Sequence, residues 1–253
     1  MDIILYNIIA AIACLILGYL FGSFPTAIII GKVFYKQDPR EFGSKNAGGT
    51  NAARLWGKKV GAIVIIIDMI KTLSPIYICW AILTFVPFGD KPLMADSMSR
   101  FAGLDTGYVV RWSAYWLASL GASLGHCYPL FANFKGGKGA ASGMGTWCTT
   151  SWCLGLIPAV GIYYLILKIK RYMSLGSIII PFIITFLYAT WSVLCLTKVV
   201  AGYETFVSFG NTLAIDWVAA IVLFLQGILI VIRHSENIKR LKNHTENKTY
   251  WVK

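Results

Sequence analysis

Read for alternation of apolar and polar positions, the chain shows long uncharged runs in place of amphipathic stripes. Ile3 to Gly31 and Met173 to Thr197 each exceed the ~20 residues that an α-helix needs to cross a hydrocarbon core. Apolar segments at about 3–31, 60–88, 112–134, 140–153, 156–168, 173–197 and 213–232 predict seven transmembrane helices, two of them short. The two short ones are separated by Leu154-Gly155 and followed by Pro158, so one long helix over 140–168, kinked at the proline, is the alternative. No short apolar region with a small-residue cleavage site precedes the first run, so the first helix is expected to stay with the protein.

Charge chooses between these readings. With seven spans and the amino terminus outside, only Lys91, Arg100, Arg111 and Lys198 fall in outer loops and Lys71 lies within a span; every other lysine and arginine is on the inner side. The positive-inside rule favours that arrangement. A single helix over 140–168 would put a basic cluster outside. The expected fold is therefore all-α and polytopic, with the carboxyl terminus in the cytoplasm. No internal repeat or low-complexity linker appears, and residues 1–253 read as one domain.

Composition agrees: 57% of the 253 residues are hydrophobic and 13% charged, and the mean hydropathy is +0.66. That excludes secreted, disordered, collagenous and nucleic-acid-binding proteins. The excess of 23 Lys and Arg over 11 Asp and Glu, a net charge of +12, points to anionic headgroups or a phosphorylated substrate as partners. Six cysteines, Cys14, Cys79, Cys127, Cys148, Cys153 and Cys195, lie in apolar segments without metal-ligand spacing and read as packing residues. No metal or cofactor is expected.

Polar chemistry gathers in three inner segments. In the first, Asp38 to Arg54, Gly43, Gly48 and Gly49 let backbone N–H groups turn toward an oxyanion, and Ser44, Asn46, Thr50 and Asn51 add side-chain donors. Arg40 and Arg54 supply planar forks for phosphate; a solvated turn with an Asn/Gly helix cap is the plainer alternative. In the second, Gly125 to Gly139, the turn Gly136-Gly137-Lys138-Gly139 precedes an apolar helix and resembles an anion nest, though its spacing is not that of a Walker A loop. A flexible hinge with headgroup-binding lysines is its alternative. In the third, Arg233 to Glu246, helical spacing puts Arg233 and Asn237 on one face with His234 beside them. Within the second span, Asp68 and Lys71 are three apart and are expected to neutralise each other.

These segments in this order resemble the bacterial membrane acyltransferase family called PlsY. The residues that carry the resemblance are Gly22-Ser-Phe-Pro25, Gly43-Ser-Lys-Asn-Ala-Gly-Gly-Thr-Asn51, Gly57-Lys-Lys-Val-Gly61 with Asp68, Gly125-His126 with Phe134-Lys-Gly-Gly-Lys-Gly139, Arg171 to Ser177, and Arg233 to Arg240 with Thr245-Glu246. Three positions depart from the pattern: Lys45 and His244 stand where glycine is usual, and Gly49 where alanine is usual. The outer loop 89–111 and the loop 199–212 look longer than a minimal member requires.

The resemblance implies a bacterial inner-membrane enzyme with its site facing the cytoplasm. It would transfer the acyl group of an acyl phosphate to the 1-hydroxyl of glycerol 3-phosphate, giving 1-acylglycerol 3-phosphate and phosphate for phospholipid synthesis. Glycerol 3-phosphate, acyl phosphate and membrane lipids are then the expected partners. Ser44, Arg54, Lys138, His234 and Asn237 are the expected catalytic residues. Gly43, Asn46, Gly48, Thr50, Asn51, Gly136, Gly137, Gly139 and Ser177 are expected to bind substrate. An acyl phosphate is already activated, so no covalent acyl-enzyme and no nucleophile elbow are expected. Either His234, with an ordinary pKa of about 6.5, or the substrate phosphate, with a second pKa of about 6, can take the proton. A transporter or flippase for anionic lipids is the rival reading, and it predicts polar residues continuing across the membrane midplane.

Overall fold

The computed structural model describes residues 3–88, 91–94, 112–197 and 217–249. The chain forms two compact units, residues 1–146 and 147–253. Both are helical, with one antiparallel pair of two-residue strands, β1 (Pro87–Phe88) and β2 (Lys91–Pro92), in the first.

The first unit starts with α1 (Ile3–Gly22), followed after a break by α2 (Thr26–Ile30) and a π-helical turn, Gly31–Tyr35. Pro25 causes the break, because it has no N–H to continue the helical ladder. After a loop come α3 (Gly49–Trp56), α4 (Lys58–Phe85) and α5 (Trp116–Cys127). Isoleucines at positions 8, 12 and 16 and Leu20 leave one side of α1 exposed and apolar, as a lipid-facing helix requires. Its other side is a seam of small residues. A methyl group on Gly18 or Gly22 would strike the backbone of Ala118 or Ala122 on α5, and one on Gly121 or Gly125 would strike the backbone of α1. Such reciprocal spacing of small residues, four apart on both helices, is what lets membrane helices approach to backbone contact.

The seam places the end of α5 beside the break at Pro25. Phe24 O has lost its helical partner there, and Lys71 Nζ of α4 donates to it at 2.8 Å. Thr26 Oγ1 donates to Asp68 Oδ1 at 2.8 Å, and Lys71 Nζ lies 2.8 Å from the same oxygen. The expected mutual neutralisation is present, within a cluster that also includes the break.

Helix α6 (Ala140–Thr150) follows the glycine-rich turn. The second unit continues with a π-helical turn (Trp152–Leu156), α7 (Ile157–Ile169), α8 (Met173–Leu196), α9 (Trp217–Arg233) and α10 (Ser235–Lys242). Among the described residues, three helices are long and apolar enough to cross a membrane, and a fourth if the bent pair α9–α10 is one span. The segment expected at 112–134 contains the twelve-residue α5 and one short 3-10 turn, Leu130–Ala132, and no helix of spanning length. The segments at 140–153 and 156–168 run almost continuously, interrupted at Ser151. The bend between α9 and α10 is 63°. Arg233 and Asn237 therefore belong to different helices, and the face expected from their spacing does not exist. Apart from residues 91–94, the loop 89–111 lies outside the described residues, as does the loop 199–212.

Cys14, Cys79 and Cys127 form no disulfide and are buried, as packing residues would be, whereas Cys153 is exposed.

Candidate active site

In the first unit, two loops meet. The loop between Lys36 and Gly48 is organised by Asn51 from the first turn of α3. Its Oδ1 accepts from Ser44 N–H at 2.9 Å, and its Nδ2 donates to Pro39 O, Phe42 O and Asn46 O at 2.8, 3.1 and 3.1 Å. With 1% of its surface exposed, Asn51 holds the loop from inside, so the expected role as a substrate donor passes to the residues it arranges. Gly43 lies under it at φ 59°, and any Cβ there would strike Asn51 Oδ1. Ser44, Asn46 and Thr50 are half-buried at the loop surface and Arg54 is exposed on α3. Gly48 is the extended residue that caps α3.

Arg40 is not an open phosphate fork. Its Nε and NH2 donate to Asp38, NH2 at 2.7 Å, and NH1 donates to Ala132 O at 3.0 Å. The guanidinium holds the Asp38 carboxyl below the usual carboxylate range. Arg40 thus ties the first loop to the second, and Ile28, Ala47 and Ala132 pack beside it.

The second loop folds back on the end of α5. Gly136 N–H donates to Cys127 O at 3.3 Å and Gly137 N–H to His126 O at 2.9 Å. These two donors are engaged inside the protein, so the anion nest expected from Gly136 and Gly137 is not formed by their N–H groups. Lys138 is half-buried, and Gly139, at φ 84°, turns the chain into α6. A G-x-S-x-G string does occur, Gly121-Ala-Ser-Leu-Gly125, but Ser123 is buried inside α5 and the two glycines form the seam with α1. It lacks the strand-to-helix turn that exposes a nucleophile.

His126 lies outside the set of site residues expected from the sequence. It is buried, and its Nδ1 lies 3.6 Å from Asp68 Oδ1. The signal was the pair of glycine doublets four apart, Gly18 and Gly22 with Gly121 and Gly125, which set the end of α5 that carries His126 beside the Pro25 break, where Thr26 holds Asp68.

In the second unit, His234 marks the α9–α10 bend and is buried. Its Nδ1 is 2.8 Å from Ile230 O. A carbonyl only accepts, so Nδ1 carries the hydrogen and the neutral ring has its lone pair on Nε2. Asn237 Nδ2 donates to Glu246 Oε1 at 2.8 Å, joined by Ser174 Oγ at 3.0 Å, and Arg240 Nε donates to Glu246 Oε2 at 2.8 Å. Ser177 Oγ donates to Met173 O at 3.1 Å and accepts from Tyr163 at 2.8 Å. Asn237 and Ser177 are thus both partnered within the unit, Asn237 to the carboxyl-terminal tail.

Burial pushes the Glu246 carboxyl up, but its hydrogen bonds from Arg240, Asn237 and Ser174 outweigh that and hold its pKa below an ordinary glutamate's. A depressed pKa stabilises the fold above the unfolded value, about 4.3, and that stability is lost as pH falls through the folded value. The tail should therefore detach in acid, seen as faster hydrogen exchange over residues 243–249 after correction for the intrinsic rate. Glu246→Gln should show the same release at neutral pH.

Two of the three departures from the family pattern share one backbone property. Lys45 and His244 have φ of 53° and 56°, the left-handed region that glycine adopts without penalty. Lys45→Gly and His244→Gly should each raise stability by about 0.5–1 kcal/mol, the relief of strain less the entropy glycine adds to the unfolded chain. A denaturation series in detergent checks this. Gly49 differs: a methyl there would meet Ile65 and lie 2.9 Å from Gly61 O on α4, so this chain has closed the space an alanine would fill.

The helices and glycine-rich loops define an integral membrane protein. The family model for glycerol-3-phosphate acyltransferase matches residues 12–244. The glycerol-3-phosphate acyltransferase of Mycoplasmopsis synoviae (strain 53) is 35% identical over 94% of this chain and 93% of its own. That of Mycoplasmopsis agalactiae is 36% identical over 97% and 96%, and one from Staphylococcus aureus (strain bovine RF122 / ET3-1) is 34% identical over 95% and 98%. A crystal structure of PlsY, an integral membrane glycerol 3-phosphate acyltransferase in its glycerol 3-phosphate form, superposes with a TM-score of 0.66 at 30% identity, covering 94% of both chains. Its lysophosphatidic acid form gives 0.64. The chain belongs to the glycerol-3-phosphate acyltransferase family.

Proposed function

We propose that the chain is a single acyltransferase domain in the bacterial inner membrane that uses acyl phosphate to acylate the 1-hydroxyl of glycerol 3-phosphate. The observation that carries this reading is the likeness over 94% of the chain to a protein solved with glycerol 3-phosphate and with lysophosphatidic acid. The hydroxyl oxygen bonds to the acyl carbon, the bond from that carbon to the phosphate oxygen breaks, and inorganic phosphate leaves. An acyl phosphate is a mixed anhydride with a good leaving group, so positioning and charge stabilisation suffice for catalysis. The proton passes to Nε2 of His234 or to a substrate phosphate.

The residues proposed to hold the phosphates are Lys138, Arg54 and the surface of the Asn51-organised loop, with Gly43, Ser44, Asn46, Gly48 and Thr50. Asn237 and Ser177 then act through the partners they hold, and Gly136, Gly137 and Gly139 shape the turn that carries Lys138. The seven-span arrangement with the amino terminus outside is supported by the distribution of lysine and arginine, and it puts these loops in the cytoplasm.

Purified protein given glycerol 3-phosphate and palmitoyl phosphate should release phosphate and form 1-acylglycerol 3-phosphate. Palmitoyl-CoA should support less than a few per cent of that rate, because its leaving group is a bulky nucleotide thiol that the small loops do not accommodate. Equal rates from the two donors would refute the acyl-phosphate reading.

A further inference from the structure

We propose that His126, oriented by Asp68, is a positioning residue for the glycine-rich loop: its ring is the surface on which Gly137 seats, and so fixes the backbone that presents Lys138. This rests on the reading that Lys138 binds a substrate phosphate.

The imidazole is held between two structures. On one side Nδ1 faces Asp68 Oδ1 at 3.6 Å, and that oxygen is itself fixed by Thr26 and Lys71. On the other side the ring meets the loop. A Cβ on Gly137 would fall on Nε2 and lie 2.7 and 2.9 Å from Cε1 and Cδ2, so the Gly137 backbone rests directly on the ring. The loop returns to the same residue through the bond from Gly137 N–H to His126 O, 2.9 Å. Lys138 is the next residue along. A rotation of the ring would move the loop under it, and a displacement of about 1 Å in a positioned group can cost a hundredfold in rate. With only 5% of its surface exposed, His126 reaches substrate through the loop and not by contact.

The test is a double-mutant cycle on purified enzyme, scored by kcat/KM with glycerol 3-phosphate and palmitoyl phosphate, alongside thermal unfolding of each variant. If His126 works through the loop, His126→Ala lowers kcat/KM tenfold or more in the native background. It lowers it less than about threefold further once Lys138→Ala is present, since the placement of a missing ammonium no longer matters. His126→Gln, which keeps bulk under Gly137, restores part of the loss. Factors that multiply in the double variant, or a His126→Ala enzyme with the native rate, overturn the proposal. A native rate for Lys138→Ala instead overturns the reading of the site on which it rests. Should His126→Ala not fold, Gly137→Ala takes its place in the cycle, with the same expected coupling.

Discussion

Lys138→Ala should lower turnover about a hundredfold or more and leave the folded protein intact. The side chain is half-buried in a turn whose backbone bonds, Gly136 to Cys127 and Gly137 to His126, do not involve it. Removing it withdraws a charge and leaves those two backbone bonds in place. Deleting one donor that stabilises developing negative charge in a water-poor site costs about 2.7–4 kcal/mol. Lys138→Arg keeps the charge but replaces a compact ammonium with a planar fork, and should recover only part of the rate. The measurements are steady-state kinetics and size-exclusion elution of each variant. A near-native rate for a monodisperse Lys138→Ala protein would remove the second loop from the active site.

The second large effect is on stability. Lys71→Met should destabilise the protein by about 3–5 kcal/mol, the range for deleting one partner of a buried ion pair. Asp68 is 1% exposed, and its Oδ2 makes no hydrogen bond among the described residues. Without Lys71, the carboxylate keeps only Thr26 and His126, and Phe24 O at the Pro25 break keeps only the Thr26 N–H as donor. Adding Asp68→Asn to Lys71→Met should recover a large part of the loss, because an uncharged amide no longer needs a counter-ion. Unfolding midpoints in an SDS titration of mixed micelles would measure both. Equal midpoints for the native protein and Lys71→Met would show that the pair contributes nothing.

Much of this architecture was legible because membranes simplify the problem: uncharged runs must be helices, so α1 and α8 follow from their composition alone, and α4 from an apolar run broken only by Asp68 and Lys71 after its basic start. The Asp68–Lys71 pair followed from a spacing of three. What was hidden depended on partners distant in sequence. Asn51 and Arg40 have the chemistry of phosphate ligands, and only the fold shows their donors turned onto Pro39 O, Phe42 O and Ala132 O. The face shared by Arg233 and Asn237 failed because the chain bends at His234, with no proline or glycine there to announce it. The left-handed backbone at Lys45 and His244 was visible only as a departure from a glycine pattern, since lysine gives no signal of a positive φ and histidine only a weak one.

The spacing of Asp68 and Lys71 also bears on how the protein enters the bilayer. Two charges in the middle of a hydrophobic segment would ordinarily oppose its partition from the translocon into lipid. Here the two groups lie on one helix, a single turn apart, so α4 can close its ion pair as soon as it is helical, before α5 has been synthesised. The earlier residues Phe24 and Thr26 are already available to it. The carboxylate can thus cross into the membrane as half of a neutral dipole, keep that partner, and gain His126 as a further neighbour when α5 arrives. A variant with the same two residues moved out of helical register would have the same composition and would be expected to stall at insertion instead of at folding.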